Sequence, residues 1–289
     1  MGEIYRRAIT ALIRPKRHVY NEDDLPLSYN LDYYGEVIRT PVKFYNSRKQ
    51  KIIGSLYKTQ KYARGNPCVI YLHGNSSSQY EGRFLVQLFV PIGISVFCFD
   101  FSGSGISDGT FVTLGYHEKK DLTSAIEYLK KNHNIHKIAL WGRSMGAATA
   151  IYALAEHPYI SSAVLDSPFS VLREVILSLG KQYHVGIFMT NSTIEKLRTA
   201  ALDLADFDIN EVNPICEVKN CYSPVFFIHA KNDVTIPIEQ SIKLFNAYET
   251  DLKEIKIVPG DHYSNRPPDV LQEATKFICE SLGLTIEFD

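Results

Sequence analysis

Hydrophobic positions along this chain fall into short, mostly apolar runs separated by longer stretches with helical spacing. Cys68–Leu72, Ile94–Phe99, Lys137–Trp141, Ala163–Leu165, Val225–Ile228 and Ile255–Val258 are such runs. Their near-continuous apolar character predicts strands covered on both faces. Between them, residues 80–90, Glu118–Lys131, Ile238–Ala247 and Asp269–Leu282 read as helices. In the second of these, Leu122, Ala125, Ile126 and Leu129 share one face. Two earlier runs, Val37–Tyr45 and Lys51–Tyr57, are linked by polar Asn46-Ser47-Arg48 and predict an antiparallel start. The alternation predicts an α/β fold: a mostly parallel eight-stranded sheet with helices on both faces.

Two regions depart from this alternation. Residues 168–222 separate two strands by far more than an ordinary crossover, with helix-like pieces at Val171–Leu179 and Ser192–Asp203. Insertions of that length at a sheet's carboxyl edge are usually lids, so the span reads as a small helical cap. Residues 1–34 read as an N-terminal arm preceding a domain at 35–289. There Ile4, Tyr5, Ala8, Ile9, Leu12 and Ile13 recur at helical spacing until Pro15, amid Arg6, Arg7, Arg14, Lys16 and Arg17. The favoured reading packs this basic amphipathic segment on the body with its charges solvated. The alternative is peripheral contact of residues 1–18 with an anionic membrane surface. Position 6 is Arg where a myristoylation signal needs Ser or Thr.

Composition narrows the functional classes. At 289 residues with 45% hydrophobic and 22% charged, the chain can build a sizeable core. A formal net charge of −1 provides no field for nucleic acid, so no nucleic-acid partner is expected. No run approaches a membrane span and no export signal is seen, so a cytoplasmic setting is expected. The five cysteines (Cys68, Cys98, Cys216, Cys221, Cys279) form no framework, and Cys216 and Cys221 could pair only in an oxidising compartment. Histidines and cysteines show no ligand spacing, so neither metal nor cofactor is expected. Ser102-Gly103-Ser104-Gly105 follows a strand but lacks the third glycine of a dinucleotide fingerprint, and reads as a turn.

The most informative motif is Gly142-Arg143-Ser144-Met145-Gly146. It stands between the Lys137–Trp141 run and a small-residue-rich stretch, Ala147–Glu156, that reads as a tightly packed helix. A G-x-S-x-G turn between strand and helix holds its serine on a strained elbow at the top of a sheet. Taken alone, such a serine could merely cap the helix. A serine hydroxyl needs a base to become a nucleophile, and the base needs a carboxylate to fix its tautomer. Asp233 follows the Val225–Ile228 strand and His262 follows the Ile255–Val258 strand, on the same sheet edge as Ser144. That makes Ser144, Asp233 and His262 the candidate catalytic set, in the order Ser, Asp, His. Asp166, ending the strand after the elbow, is the rival acid and otherwise a buried holder of the Ser167-Pro168 turn. Asp261 reads as a turn or supporting residue. The amides of Met145 and of Asn75, in His73-Gly74-Asn75, are candidate oxyanion donors. Ser76, Ser77 and Ser78 could simply cap the next helix.

Several motifs together resemble the α/β-hydrolase superfamily, in its serine-aminopeptidase-like or Bem46-like group and more narrowly its plant and protist hydrolases. The resemblance rests on Arg14-Pro15-Lys16-Arg17-His18-Val19-Tyr20, Tyr71-Leu72-His73-Gly74-Asn75-Ser76, Asp100-Phe101-Ser102-Gly103-Ser104-Gly105, the elbow, and Gly260-Asp261-His262 with Arg266-Pro267. It implies an α/β-hydrolase fold and a triad falling on Ser144, Asp233 and His262. Relatives of this type include esterases, lipases, depalmitoylases and aminopeptidases, so no substrate is implied. The leading expectation is a serine hydrolase that cleaves carboxylic esters or thioesters through an acyl-enzyme on Ser144. Val171, Leu172, Ile176, Leu177, Ile187 and Phe188 of the cap could meet a small-molecule or lipid-like acyl substrate. A serine aminopeptidase would need acids for the substrate amine, with Glu195, Asp203, Asp206 and Asp208 available. A non-catalytic binding protein on the same fold is the remaining class.

Overall fold

A computed structural model describes residues 2–31, 35–59, 66–182 and 190–285. In chain order its helices are α1 (Gly2–Ile13), α2 (Phe84–Phe89), α3 (Glu118–His133), α4 (Met145–Glu156), α5 (Leu172–Gln182), α6 (Asn191–Ala205), α7 (Pro214–Glu217), α8 (Glu239–Ala247) and α9 (Pro268–Ser281). The strands are β1 (Ser28–Leu31), β2 (Gly35–Tyr45), β3 (Lys51–Lys58), β4 (Cys68–Leu72), β5 (Ser95–Phe99), β6 (Ile138–Arg143), β7 (Ser162–Asp166), β8 (Val225–Ala230) and β9 (Lys253–Val258).

All nine join one sheet in the order β1-β2-β3-β5-β4-β6-β7-β8-β9. The first three pair antiparallel and dock antiparallel on β5, and the remaining pairs are parallel. Eight strands were expected. The additional one is β1, a Ser-Tyr-Asn-Leu stretch too short and too polar to stand out by pattern. The expected helix at 80–90 is instead α2 between two 3₁₀ turns, Gln79–Arg83 and Val90–Ile92, the latter ended by Gly93 at φ 83°.

Both faces of the sheet are covered along its central strands, whereas β2 alternates buried with exposed residues and edge strand β9 is mostly half-buried or exposed. On one, Ile70, Leu72 and Leu140 pack with Leu122 and Ile126 of α3 and the alanines of α4. On the other, Tyr71, Trp141 and Val164 pack against α2 and α9. Alternate residues of β4 and β6 thus enter opposite cores, which is why those strands carry no polar face. Helix α4 is buried from Met145 to Leu154, and its small side chains let it lie close to the strands.

The insertion between β7 and β8 is helical, as expected, and carries α5, α6 and α7. Ile187 and Phe188 lie outside the described residues. The N-terminal segment is packed against the body. Ile9 and Ile13 of α1 are buried, and α1 lies along α6 with Arg6 near Asp203 at 3.6 Å. Beyond α1, the Arg17 guanidinium donates to the carbonyls of Gly103, Ser107 and Gly109 at 3.1, 3.2 and 2.7 Å. The Ser102–Gly105 loop is accordingly a turn held by arginine. The apolar stripe of α1 faces the body, and Ile4 stays exposed. No described helix is long and apolar enough to cross a membrane. All five cysteines are free, and burial pushes the Cys221 thiol up to about 12.

Candidate active site

Strand β6 delivers the chain to Ser144, and α4 starts at the next residue. Ser144 sits at φ 52°, ψ −115°, and its N–H donates to the Asp166 carbonyl at 2.8 Å. Such a backbone persists only where its surroundings over-determine it. Here the flanking glycines show how. A Cβ on Gly146 would lie 1.9 Å from the Leu72 carbonyl oxygen, and one on Gly142 2.4 Å from the Gly146 oxygen. The first turn of α4 therefore rests directly on the end of β4, and only glycine permits that approach.

The loops after β8 and β9 complete the arrangement. His262 Nε2 lies 3.2 Å from Ser144 Oγ, and its Nδ1 lies 2.6 Å from Asp233 Oδ2. The other Asp233 oxygen accepts from the amides of Thr235 and Ile236 at 3.0 and 2.8 Å, which locks the carboxylate. Ser144, His262 and Asp233 thus form a continuous hydrogen-bonded line. Asp166, the rival acid, is committed elsewhere. Buried Arg266 grips it through Nε and Nη2 at 2.9 and 2.8 Å, and Ser167 Oγ donates to it at 3.2 Å. Asp261 turns back on its own loop, accepting from the Tyr263 and Ser264 amides, both at 2.9 Å. Among the described residues, the N–H groups of Met145 and Asn75 have no hydrogen-bond acceptor. Met145 also opens α4, where the helix dipole favours negative charge. The neighbouring Gly74 amide is already taken by Glu81 Oε2 at 2.8 Å.

Three residues to which the sequence pattern assigned no role of their own support the site. Arg143 donates to the His262 carbonyl at 2.7 Å and faces Glu81 at 3.8 Å, tying the histidine loop to the Gly74 loop. Burial works against its charge, but the Asp166 and Glu81 carboxylates outweigh this and raise its pKa. His229 lies beneath Asp233, its Nε2 2.9 Å from the Ile236 carbonyl and 3.5 Å from the carboxylate. Burial pushes its pKa down and favours the neutral ring. Arg266 is the third. The partners that give Arg143 and Arg266 their roles lie 119 and 100 positions away, beyond the reach of any local pattern, whereas those of His229 lie only 4 and 7 positions on.

Ser144 and His262 open into a cavity of about 750 Å³. Leu172, Val175, Ile176 and Leu179 of α5, Leu197 of α6, Phe169 and Ile236 give it apolar walls. Ala8, Ile9 and Leu12 of α1 supply a further wall, which the sequence did not suggest. Of the described cap residues expected here, Leu172 and Ile176 line the cavity, whereas Val171 and Leu177 do not. The four acids considered for an amine-binding role are not among the lining residues. Asp208 and Glu195 bind Arg198, Asp203 faces Arg6, and Asp206 ends α6 in a left-handed conformation.

A parallel sheet that presents a serine elbow to a histidine and an aspartate from later strand ends defines an α/β-hydrolase. The chain has that fold, and residues 65–207 match the family model described as "Serine aminopeptidase, S33". The chain is 28% identical to uncharacterized protein R595 of Acanthamoeba polyphaga mimivirus over 71% of this chain and 69% of that one. It is 25% identical to lysophosphatidylserine lipase ABHD12 of Danio rerio over 65% of this chain, and the match spans about half (48%) of that protein. Among solved structures, the Pyrococcus furiosus esterase Pf2001 superposes with a TM-score of 0.68 at 22% identity, covering 93% of this chain and 98% of the other.

Proposed function

We propose that this protein is a serine hydrolase that cleaves carboxylic esters or thioesters through an acyl-enzyme on Ser144. The observation that carries this reading is His262, hydrogen-bonded at once to Ser144 and Asp233, at the mouth of an apolar cavity. In this reading His262 Nε2 takes the Ser144 proton as Oγ attacks the carbonyl carbon. Asp233 holds the ring with Nδ1 protonated and stabilises the imidazolium. The Met145 and Asn75 amides receive the oxyanion, a role worth about 10²–10³-fold in rate for a single donor. The tetrahedral species collapses as His262 protonates the departing alcohol or thiol. Water, deprotonated by the same nitrogen, then releases the acid.

The cavity volume lies in the range that buries a drug-sized or lipid-like ligand, and its walls favour an apolar acyl group. The esterase and lipase among the similar proteins support ester cleavage over amide cleavage. Free thiols throughout support a cytoplasmic setting. The test is labelling with a fluorophosphonate probe. Labelling mapped to Ser144, lost in Ser144→Ala and His262→Ala, is expected; an unlabelled, folded wild-type protein would overturn the reading. A panel of short- to long-chain esters, thioesters and aminoacyl amides then orders the substrate classes, with esters or thioesters expected ahead of amides.

A further inference from the structure

The loop from His73 to Gln79 carries one of the two candidate oxyanion amides; within it Ser77 N–H donates to the Gly74 carbonyl at 3.2 Å and Ser76 N–H to Asn75 Oδ1 at 3.0 Å. Ser76 sits at φ 62° without being glycine, a conformation that needs external restraint. The N-terminal segment adds restraint to these internal bonds at three successive points. Asn75 Nδ2 donates to the Leu12 carbonyl at 3.0 Å. His18 Nδ1 lies 2.7 Å from Ser78 Oγ. Tyr20 accepts from the Gln79 side-chain amide and donates to Asp100 at 2.7 Å, while Asp100 accepts the Gln79 main-chain N–H at 2.6 Å. Arg17 anchors the same stretch to three carbonyls of the adjacent turn.

The first of these bonds is the most telling. It uses the side chain of Asn75, the residue whose own main-chain N–H has no acceptor among the described residues. Fixing that side chain against α1 fixes the orientation of the peptide bearing that donor. Rings of His18, Tyr20 and Tyr80 stack edge-on behind the loop, so its far side is packed as well as hydrogen-bonded.

We propose that residues 12–20 are a positioning strap: they hold the Asn75 amide where the oxyanion forms, so docking of the N-terminal segment sets the turnover rate. The proposal rests on the serine-hydrolase reading above. His18 and Tyr20 are positioning residues that act through the loop, touching no substrate.

The experiment compares full-length wild type with Asn75→Ala, His18→Phe and Tyr20→Phe. A short ester, 4-nitrophenyl acetate, keeps the acyl group off the α1 wall, so changes in rate report on the loop. A boronic acid that mimics the tetrahedral species reads the oxyanion site directly. The expected result is a kcat loss of roughly 10- to 100-fold with KM within about threefold, as for a donor misplaced by a fraction of an ångström. Boronate affinity should weaken by the same factor as kcat across the series. A merely structural strap would lower the melting temperature while leaving the folded fraction with wild-type kcat and boronate affinity, and that outcome overturns the proposal. Should Tyr20→Phe fail to fold, His18→Phe, which deletes a single tether and leaves the loop's internal bonds intact, decides the matter, since Asn75→Ala also removes the bond from the Ser76 N–H. Failure of wild type to label at Ser144 would sink the hydrolase reading and the strap together. A labelled wild type with unaltered strap variants sinks the strap alone.

Discussion

The elbow and the cavity that opens beside it are built on opposite principles. Around Ser144 the decisive contacts are between backbones: Gly146 against the Leu72 carbonyl and the Ser144 amide against the Asp166 carbonyl. Little can change there, because no side chain other than hydrogen fits at Gly146. The cavity is walled by ordinary apolar side chains from α1, α5 and α6, which any residue of similar volume could replace. Under the proposed function, chemistry is thus confined to a few positions that tolerate little substitution, while recognition is spread over many that do. This is the division expected when one fold serves many substrates.

Substitutions on the two sides should separate sharply. Asp233→Asn keeps the packing but offers the His262 ring the wrong hydrogen-bond partner, so kcat should fall on the order of 10⁴-fold. Steady-state kinetics on a short ester, with a melting curve to show the fold intact, checks this. On the cavity side, Leu179→Trp should leave the short ester untouched but lower kcat/KM for a long-chain ester by roughly 10-fold or more, one lost methylene contact being worth about that. Equal losses on both esters would mean that α5 supports the elbow as well as the cavity.

Acid should strike the catalytic side through His229, beneath Asp233. Burial lowers its folded-state pKa, so below about 6.5 the unfolded chain binds a proton that the folded chain resists. Its contribution to stability is therefore present at neutral pH and is lost as pH falls below about 6.5, at up to roughly 1.4 kcal/mol per pH unit. Urea unfolding from pH 7.5 to 5 should show a shallower decline for His229→Gln than for wild type. The smallest effect is expected at the periphery of the cavity. The Arg6–Asp203 pair is half exposed on both sides, so Arg6→Ala should cost at most about 0.5 kcal/mol in the same assay.

Residues that announced themselves did so through local constraint. The elbow was legible because a strand, two glycines, a serine and a small-residue helix follow one another without a gap. Asp233 and His262 were legible because each follows a strand that ends on the same sheet edge. The strand boundaries came within a residue or two for the buried runs, since continuous apolar character has one reading there. What escaped was non-local. Strand β1 is four residues long and half polar, and it forms because Ser28–Leu31 meets the free edge of β2. Cap helix α5 was expected at its place, yet which of its residues face the cavity was settled by how it lies over Ser144: Leu172 and Ile176 inward, Val171 and Leu177 elsewhere.

The sequence by itself determined the α/β order of elements, the serine elbow and the residues able to stand in line with it, because glycine sterics and strand-end placement act over a few residues. The tertiary structure alone decided that Asp166 is bound to Arg266, 100 positions away. It also decided that Arg143 braces the His262 loop and that the N-terminal segment is both a wall of the cavity and a tether of the Asn75 loop. Those pairings join residues that share no local pattern, and they exist only once the folded sheet has brought their elements within hydrogen-bonding distance.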